Sequence, residues 1–389
     1  MHKIGVITHF HNSINYGGVL QAYALCAALK ECGIQAEQIC YVPYYPETEQ
    51  ERKPFLKRIV NVFRPAILQD YILSRLDAMH NDRIALHMQK RRQAFATFGA
   101  EHVPQSKAVY RGDDMRAAGE DYDCFVTGSD QVWNLDWYQG AYFLDFVPEG
   151  KKKISYAASL GMYSLTEEQK QTFRNLLADY TAVSVREEDA VELLQPISPV
   201  EVNCTLDPTM LLSAAQWDEI CAEKLVQEPY LFCYFLGENQ QLRHMAAEYA
   251  RSHGLKIVTI PHAKGSHTKD DERFGDEQVW AASPVEFLSL IKHADCIFTN
   301  SFHAVVFSGI YEKEYFVFPR RKGDRMVSRI YTLTGYYGSR DHFCDTEERH
   351  TLHYINSVSP ISYCQVSEIL QERKAESIAY LQMHLTDME

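Results

Sequence analysis

The sequence has 389 residues, more than a single ordinary hydrophobic core accommodates and about right for two domains. Hydrophobic residues make up 46% of the chain and charged residues 23%, a balance typical of a globular protein with a packed interior. The formal net charge of -13 argues against a general nucleic-acid-binding protein, which needs a basic surface to neutralise phosphates. Any anionic ligand must therefore be bound by cations that are gathered locally.

Residues 1–8 have the pattern of a strand, and their apolar run is too short for a signal peptide. No stretch approaches the roughly 20 apolar residues of a membrane span. The ten cysteines are scattered, and none forms the Cys-x-x-Cys pair typical of zinc ribbons and redox motifs. We therefore expect a cytoplasmic protein that needs neither a metal nor a cofactor.

The first half of the chain alternates strand and helix patterns. A turn at 15–18 connects the first predicted strand to a helical pattern at 19–32, and residues 47–102 form a helical insertion rich in Arg and Lys. The predicted strands are 4–10, 36–42, 123–127, 153–157, 182–185 and 200–205, and the later predicted helices are 166–179 and 187–194. This order is typical of a parallel α/β sheet.

A second α/β unit begins near residue 215, and an amphipathic helix is predicted at 365–386. The predicted strands of this unit are 230–235, 256–260, 296–299 and 315–317, and its predicted helices are 238–252, 284–293 and 303–312. We therefore predict two doubly wound, Rossmann-like α/β domains that face a cleft, with the C-terminal helix crossing back to the N-terminal domain. The predicted domains are 1–213, which contains the insertion at about 47–102, then 214–364 and the C-terminal helix 365–389.

Ligands of such sheets bind beyond the carboxyl ends of the strands, which directs attention to the polar loops there. In the first loop, Gly17 and Gly18 would let backbone amides approach an anion at a helix N-terminus. The alternative is a glycine turn that only reverses the chain. In the second loop, 127–134, Trp133 offers a flat apolar face for a sugar ring. The alternative there is an Asx-type turn with a core tryptophan.

The third loop, 298–308, joins a strand to a helix. Asn300 or Ser301 can cap the helix, which places His303 in the first helical turn. A neutral imidazole there could take a proton from an attacking hydroxyl, whereas the alternative is a buried structural histidine.

The fourth loop has the densest positive charge of the second half, since it contains Arg320, Arg321 and Arg325, with Arg329 one turn beyond. Guanidinium groups suit carboxylate and phosphate together, and the alternative is a solvated charged loop. Arg186, at another strand end, either reaches the cleft or only pairs with the acidic residues that follow it.

Taken together, these segments resemble the polysaccharide pyruvyl transferase family. The matching segments are 4–29, with its Asn15-Tyr16-Gly17, then 128–134, 156–161, 183–187, 207–209 and 301–303. They are spread in order over about 5–330, which makes the whole more specific than any part. The resemblance implies a GT-B-like fold, phosphoenolpyruvate as the donor and a pyruvate ketal on a sugar as the product. Some family members carry an arginine where this chain has Ser301, so a cation for the donor must come from elsewhere.

The resemblance and the loop positions together give a set of site hypotheses. The predicted catalytic residues are His303 and Asp130. The predicted donor-binding residues are Asn300, Ser301, Phe302, Arg186, Arg320, Arg321 and Arg325. The predicted acceptor-binding residues are Asn15, Tyr16, Gly17, Gly18, Ser129 and Trp133. The N-terminal domain would then bind the acceptor, a sugar or lipid-linked oligosaccharide, and the C-terminal domain would bind phosphoenolpyruvate.

Residues 52–64 form a basic amphipathic run in an otherwise acidic chain. Such a run fits an interfacial helix that docks on anionic lipid, which would place the protein peripherally at the inner face of a membrane. The alternative is a helix whose apolar face packs on its own domain.

Two other functions fit the same fold. One is a glycosyltransferase that uses a nucleotide-sugar, although the sequence has no clear acidic signature for a nucleotide ribose. The other is a non-catalytic glycan-binding module, which the several polar loops at strand ends argue against. The sequence gives no prediction of oligomeric state.

Overall fold

The computed structural model describes residues 3–43, 65–261, 271, 273–320 and 327–386. The predicted membrane-contacting run at 52–64, Arg321 and Arg325 lie outside these residues. The predicted architecture is confirmed, since two five-stranded sheets of parallel strands, flanked by helices, face each other. The central strands are buried apolar runs because helices cover both faces of each sheet.

The first sheet has the strand order β3-β2-β1-β4-β5. Its strands are β1 Ile4–Ile7, β2 Ala36–Val42, β3 Gln105–Arg111, β4 Cys124–Thr127 and β5 Lys152–Ser155. Two short strands, β6 Val183–Val185 and β7 Val202–Cys204, pair with each other and continue beyond β5 through an isolated bridge at Ile154. The sequence pattern missed β3, because this edge strand is half exposed and its polar residues carry little signal.

The helices of the first half are α1 Tyr16–Glu31, α2 Pro65–His102, α3 Met115–Asp121, α4 Glu167–Leu176 and α5 Glu188–Leu194. Helix α1 begins at Tyr16, three residues before the predicted start, so Gly17 and Gly18 lie inside its first turn. Helix α4 begins at a capping box, in which Thr166 accepts a hydrogen bond from the backbone of Gln169.

The second sheet has the order β10-β9-β8-β11-β12, which repeats the connectivity of the first sheet. Its strands are β8 Tyr230–Tyr234, β9 Lys256–Thr259, β10 Glu277–Gln278, β11 Cys296–Thr299 and β12 Tyr315–Val317. Its helices are α6 Ala214–Asp218, α7 Gln240–His253, α8 Pro284–Lys292, α9 Phe302–Ile310, α10 Ser328–Tyr336 and α11 Leu352–Ser357. In both sheets the strand order reverses at the central pair, β1 with β4 and β8 with β11, and ligands bind at such switch points.

The two halves are joined by buried aromatic contacts and by the last helix, α12 Tyr363–Leu385. Tyr16 of α1 donates its hydroxyl to the carbonyl of Ala282 at 2.7 Å and stacks on Phe287 of α8. Helix α12 crosses back to the first half, where the Tyr380 hydroxyl donates to the carbonyl of Ser155 at 2.9 Å. One hydrophobic core is continuous between the halves, so the division at residue 213 stays a prediction. Among the described helices, none is both long and apolar enough to cross a bilayer.

Candidate active site

A cavity of about 710 Å³ lies between the two sheets, at the carboxyl ends of their strands. The loops after the switch-point strands β1, β4, β8 and β11 all contribute to its wall, as does α2. The lining residues are His9, Asn12, Ser13, Ile14, Asn15, Arg91, Asp130, Gln131, Trp137, Tyr234, Leu236, Gly237, Pro261, Ser301, Phe302, His303, Arg320 and Arg329. The cavity is therefore the place where this architecture is expected to bind a ligand.

His303 lies in the first turn of α9, at the wall of this cavity. Ser301 caps the helix by accepting a hydrogen bond from the Ala304 amide at 3.5 Å. The first amides of a helix have no partner within it and favour an anion, so the α9 N-terminus adds positive potential here. The imidazole packs against Gly17 so closely that a Cβ added to Gly17 would overlap Nδ1. Gly17 therefore makes room for the imidazole.

The other imidazole nitrogen of His303 faces the buried carboxylate of Asp207. Nε2 lies 3.4 Å from Asp207 Oδ2, and Asp207 is 1% exposed. The same carboxylate accepts hydrogen bonds from the Thr209 amide at 3.0 Å and the Thr209 hydroxyl at 2.6 Å. Burial alone would raise the pKa of Asp207, but the charges of His303 and Arg186 hold it well below its usual value. An ionised carboxylate near Nε2 favours a proton on that nitrogen.

Arg186 is surrounded by carboxylates behind the cavity wall. Its Nη1 donates to Asp207 Oδ2 at 2.8 Å, while Glu187 and Asp130 lie 3.4 and 3.7 Å from other guanidinium nitrogens. Burial alone would lower the pKa of Arg186, but Glu187 and Asp207 raise it above its ordinary value. The guanidinium also covers the ring of Phe302 at 4.2 Å from its centroid. Arg186 is buried and does not line the cavity, so the geometry gives no support to direct donor binding by Arg186, which stays a prediction.

Arg329 is in the opposite electrostatic situation. It lines the cavity, is 6% exposed, and has no carboxylate within ion-pair distance among the described residues. Its Nε has no hydrogen-bond partner among the residues that the structure describes. Burial and the repulsion of Arg320 and Arg186 lower the pKa of Arg329 to about 9. Arg320 and Arg329 together form a cationic wall of the cavity. A buried cation such as Arg329 beside other cations is unfavourable without an anion.

The structure places six of the predicted site residues in the cavity wall. They are Asn15, Asp130, Ser301, Phe302, His303 and Arg320. Burial alone would raise the pKa of Asp130, but Arg186 and His303 lower it below its usual value. Asp130 is therefore ionised at neutral pH and suits accepting a hydrogen bond.

Trp133 and Tyr16 are not available to an acceptor, contrary to prediction. Trp133 is fully buried, stacks on Phe143, and donates its indole N–H to the carbonyl of Tyr142 at 3.2 Å. Tyr16 is 1% exposed, because it packs between the two halves. Both aromatic rings belong to the core, which was the alternative left open for Trp133.

Three further predicted residues have structural roles. Ser129 is fully buried and donates its hydroxyl to the carbonyl of Ala157 at 2.7 Å. Gly18 lies against the carbonyl of His9, where a Cβ would not fit. Asn300 is 4% exposed and accepts a hydrogen bond from the Leu236 amide at 2.6 Å, which ties the end of β11 to the end of β8. None of the three lines the cavity, so their predicted ligand contacts stay predictions that this geometry does not support.

Sequence reasoning missed several functional candidates. In the sequence, Asp207 stands out only as part of the family-like segment 207–209, although an acidic residue near a strand end is a candidate partner for a catalytic histidine. The sequence places Arg329 one turn beyond the loop that contains Arg320 but does not predict that it lines the cavity. Arg91 lies in the helical insertion, far from any predicted loop, yet it lines the cavity and donates to the carbonyls of Pro261 and Trp280. Trp137 lies four residues after Trp133, and its indole lines the cavity.

Comparison with known proteins agrees with this architecture. A family model described as polysaccharide pyruvyl transferase matches residues 15–320. No curated protein sequence matches the chain. Among solved structures, the chain is similar to a putative UDP-N-acetylglucosamine 2-epimerase from Listeria monocytogenes, with a TM-score of 0.51, 10% identity, and coverage of 100% of this chain and 97% of that chain.

Two other solved structures are similar at low identity. A UDP-GlcNAc 2-epimerase from Methanocaldococcus jannaschii has a TM-score of 0.49 and 11% identity, over 95% of this chain and 99% of that chain. The Streptomyces sp. SF2575 glycosyltransferase SsfS6 has a TM-score of 0.44 and 13% identity, over 98% and 99% of the two chains. The similarity to the Listeria protein shows the GT-B-like fold alone. Because the family match spans most of the sequence, the chain belongs to the polysaccharide pyruvyl transferase family.

Proposed function

We propose that the protein transfers pyruvate from phosphoenolpyruvate to two hydroxyls of one sugar residue in a polysaccharide or lipid-linked glycan precursor. One hydroxyl attacks C2 of the enol as C3 gains a proton and becomes a methyl group. The C2–O bond to phosphate then breaks, and the second hydroxyl forms the second C–O bond. One hydroxyl proton balances the proton gained by C3, and the other leaves with phosphate, so the products are a cyclic pyruvate ketal and inorganic phosphate.

The observation that carries the proposal is the cationic wall formed by Arg320, Arg329 and the N-terminus of α9. Phosphoenolpyruvate carries a carboxylate and a phosphate, so it needs more than one cationic contact. Some family members have an arginine where this chain has Ser301. Here Arg329, buried and without a carboxylate partner among the described residues, supplies a guanidinium to the same cavity from α10.

His303 is suited to the proton transfers of this reaction. Its Nε2 lies 3.4 Å from ionised Asp207, its Nδ1 lies over Gly17, and the residue lines the cavity. This arrangement orients the imidazole in the way that a buried carboxylate orients a catalytic histidine in hydrolases. Asp130, ionised beside Arg186, is a candidate for accepting a hydrogen bond from an acceptor hydroxyl.

Thermal unfolding with phosphoenolpyruvate tests the donor assignment directly. At a hundred times its dissociation constant, the donor should stabilise the folded protein by about 2.7 kcal/mol. Arg329→Met should remove this stabilisation, because it deletes the unpaired guanidinium. Arg92→Met is the matched control, since Arg92 is exposed on α2 and does not line the cavity.

Phosphorus NMR tests the reaction itself. With a glycan acceptor, the signal of phosphoenolpyruvate should convert to inorganic phosphate, and the pyruvate methyl group should be recovered on the sugar. Stabilisation by UDP or a nucleotide-sugar, with none by phosphoenolpyruvate, would instead favour a glycosyltransferase. Binding of glycan without turnover, unchanged in His303→Gln, would favour a non-catalytic glycan-binding module.

A further inference from the structure

Trp137 is an exposed indole at the cavity wall. Its side chain is 42% exposed, whereas Trp133 and Trp217 are fully buried. Leaving a large apolar surface in water costs about 25 cal/mol per Å² relative to burying it. An exposed aromatic residue inside a polar cavity is therefore a signal of a ligand that covers it.

The turn that carries Trp137 is fixed by the protein core. Asn134 is 2% exposed and caps the turn Leu135–Trp137 by accepting a hydrogen bond from the Asp136 amide at 2.9 Å. The next residue, Tyr138, stacks on buried Phe143 with the ring centroids 5.4 Å apart. The backbone that carries the indole is therefore held in place before any ligand arrives, which reduces the entropy lost on binding.

The first half of the chain, which carries Trp137, contributes several uncharged polar side chains to the cavity wall beside the charged Asp130 and Arg91. Asn12, Ser13, Asn15 and Gln131 line the cavity on the side of the first sheet. Amide groups both donate and accept hydrogen bonds, as sugar hydroxyls do. The anion-binding guanidinium groups of Arg320 and Arg329 come instead from the second half of the chain.

We propose that Trp137 stacks on the apolar face of an uncharged sugar ring of the acceptor, while the neighbouring amides bind the hydroxyls of that ring. The assignment rests on the proposed function only for the identity of this sugar as the acceptor. It defines a carbohydrate subsite on the first half of the molecule, whereas Arg320 and Arg329 belong to the second half. Trp137, four residues after Trp133, thus has the sugar-stacking role that the sequence analysis predicted for Trp133.

Tryptophan fluorescence tests the subsite without turnover. Methyl glycosides of glucose, galactose, mannose and N-acetylglucosamine, each at about 100 mM to saturate sites of millimolar affinity, are the neutral probes. At least one of them should quench or shift the emission, and Trp137→Phe should abolish that change. Methyl glucuronide at the same concentration is the charged comparison and should have a weaker effect. No response to any neutral glycoside, or an equal response to the glucuronide, would overturn the proposal.

Kinetics test the same residue in the reaction. Trp137→Ala should raise the KM for the neutral acceptor by about tenfold or more, with the KM for phosphoenolpyruvate unchanged. Trp137→Phe should recover most of this loss, because a flat ring is restored. Tyr163→Ala is the control, since Tyr163 is 54% exposed and does not line the cavity.

The outcomes separate this inference from the proposed function. If phosphoenolpyruvate stabilises the wild-type protein but Trp137→Ala leaves the acceptor KM unchanged, the subsite is wrong and the donor assignment stands. If phosphoenolpyruvate does not stabilise the protein but a neutral glycoside changes the Trp137 emission, the sugar subsite stands and the proposed reaction fails.

Discussion

Two buried arginines contact the same phenyl ring, Phe302, and have opposite electrostatic surroundings. The Arg186 guanidinium lies 4.2 Å from the ring centroid and is paired with Asp207, Glu187 and Asp130. The Arg329 guanidinium lies 5.7 Å from the centroid and has no carboxylate at ion-pair distance among the described residues. Burial opposes the charge of both, but carboxylates raise the pKa of Arg186, whereas neighbouring guanidinium groups help to lower that of Arg329.

The difference separates a structural cation from a binding cation. A buried charge with its partners in place belongs to the folded framework, and here it fixes the carboxylate that faces His303. A buried charge without a partner, at the wall of a cavity, is stabilised only when an anion enters. Substituting each arginine separately tests this distinction.

The largest effect is expected from Arg186→Met. Removing this guanidinium leaves buried carboxylates unpaired, so the free energy of unfolding should fall by about 3–5 kcal/mol, measured by urea denaturation. Arg329→Met is the matched comparison and should leave stability unchanged or raise it, because it removes an uncompensated buried charge. Equal destabilisation by the two substitutions would remove the distinction between them.

His303→Gln is expected to reduce turnover about a hundredfold or more, since it removes the group that moves protons. The substitution keeps a hydrogen-bonding side chain of similar size, so donor stabilisation in thermal unfolding should persist. Single-turnover phosphate release measures the effect. If the substitution abolished donor binding as well as turnover, His303 would be a donor-binding residue and not only a proton-transfer group.

Gly17→Ala should lower turnover about tenfold, because a Cβ at this position overlaps the imidazole of His303 and must displace it. The pH profile of turnover should shift as well, since the imidazole loses its position over Asp207. Gly99→Ala in α2 is the control, because its nearest neighbour beyond the local backbone is Phe10 at 4.0 Å. That substitution should be neutral or slightly stabilising, and equal losses in both variants would contradict the steric argument.

Much of the fold follows from local sequence patterns. Strands β2, β11 and β12 were predicted with their observed bounds, because each is an apolar run ended by a proline, a cap or a charge. Helix α9 and its Ser301 cap were also predictable, since capping depends on neighbouring residues. The same patterns indicated which loops would face the cleft.

The sequence by itself therefore determined two parallel α/β units and brought His303 and Asp130 to strand ends, because periodicity and capping are local. Only the tertiary structure decided that Trp137 and not Trp133 lies in the cavity, and that Arg186 is paired while Arg329 is not. It also placed Asp207 against His303 across the interface of the two halves. Burial and charge pairing depend on contacts between segments far apart in the chain, which no local pattern encodes.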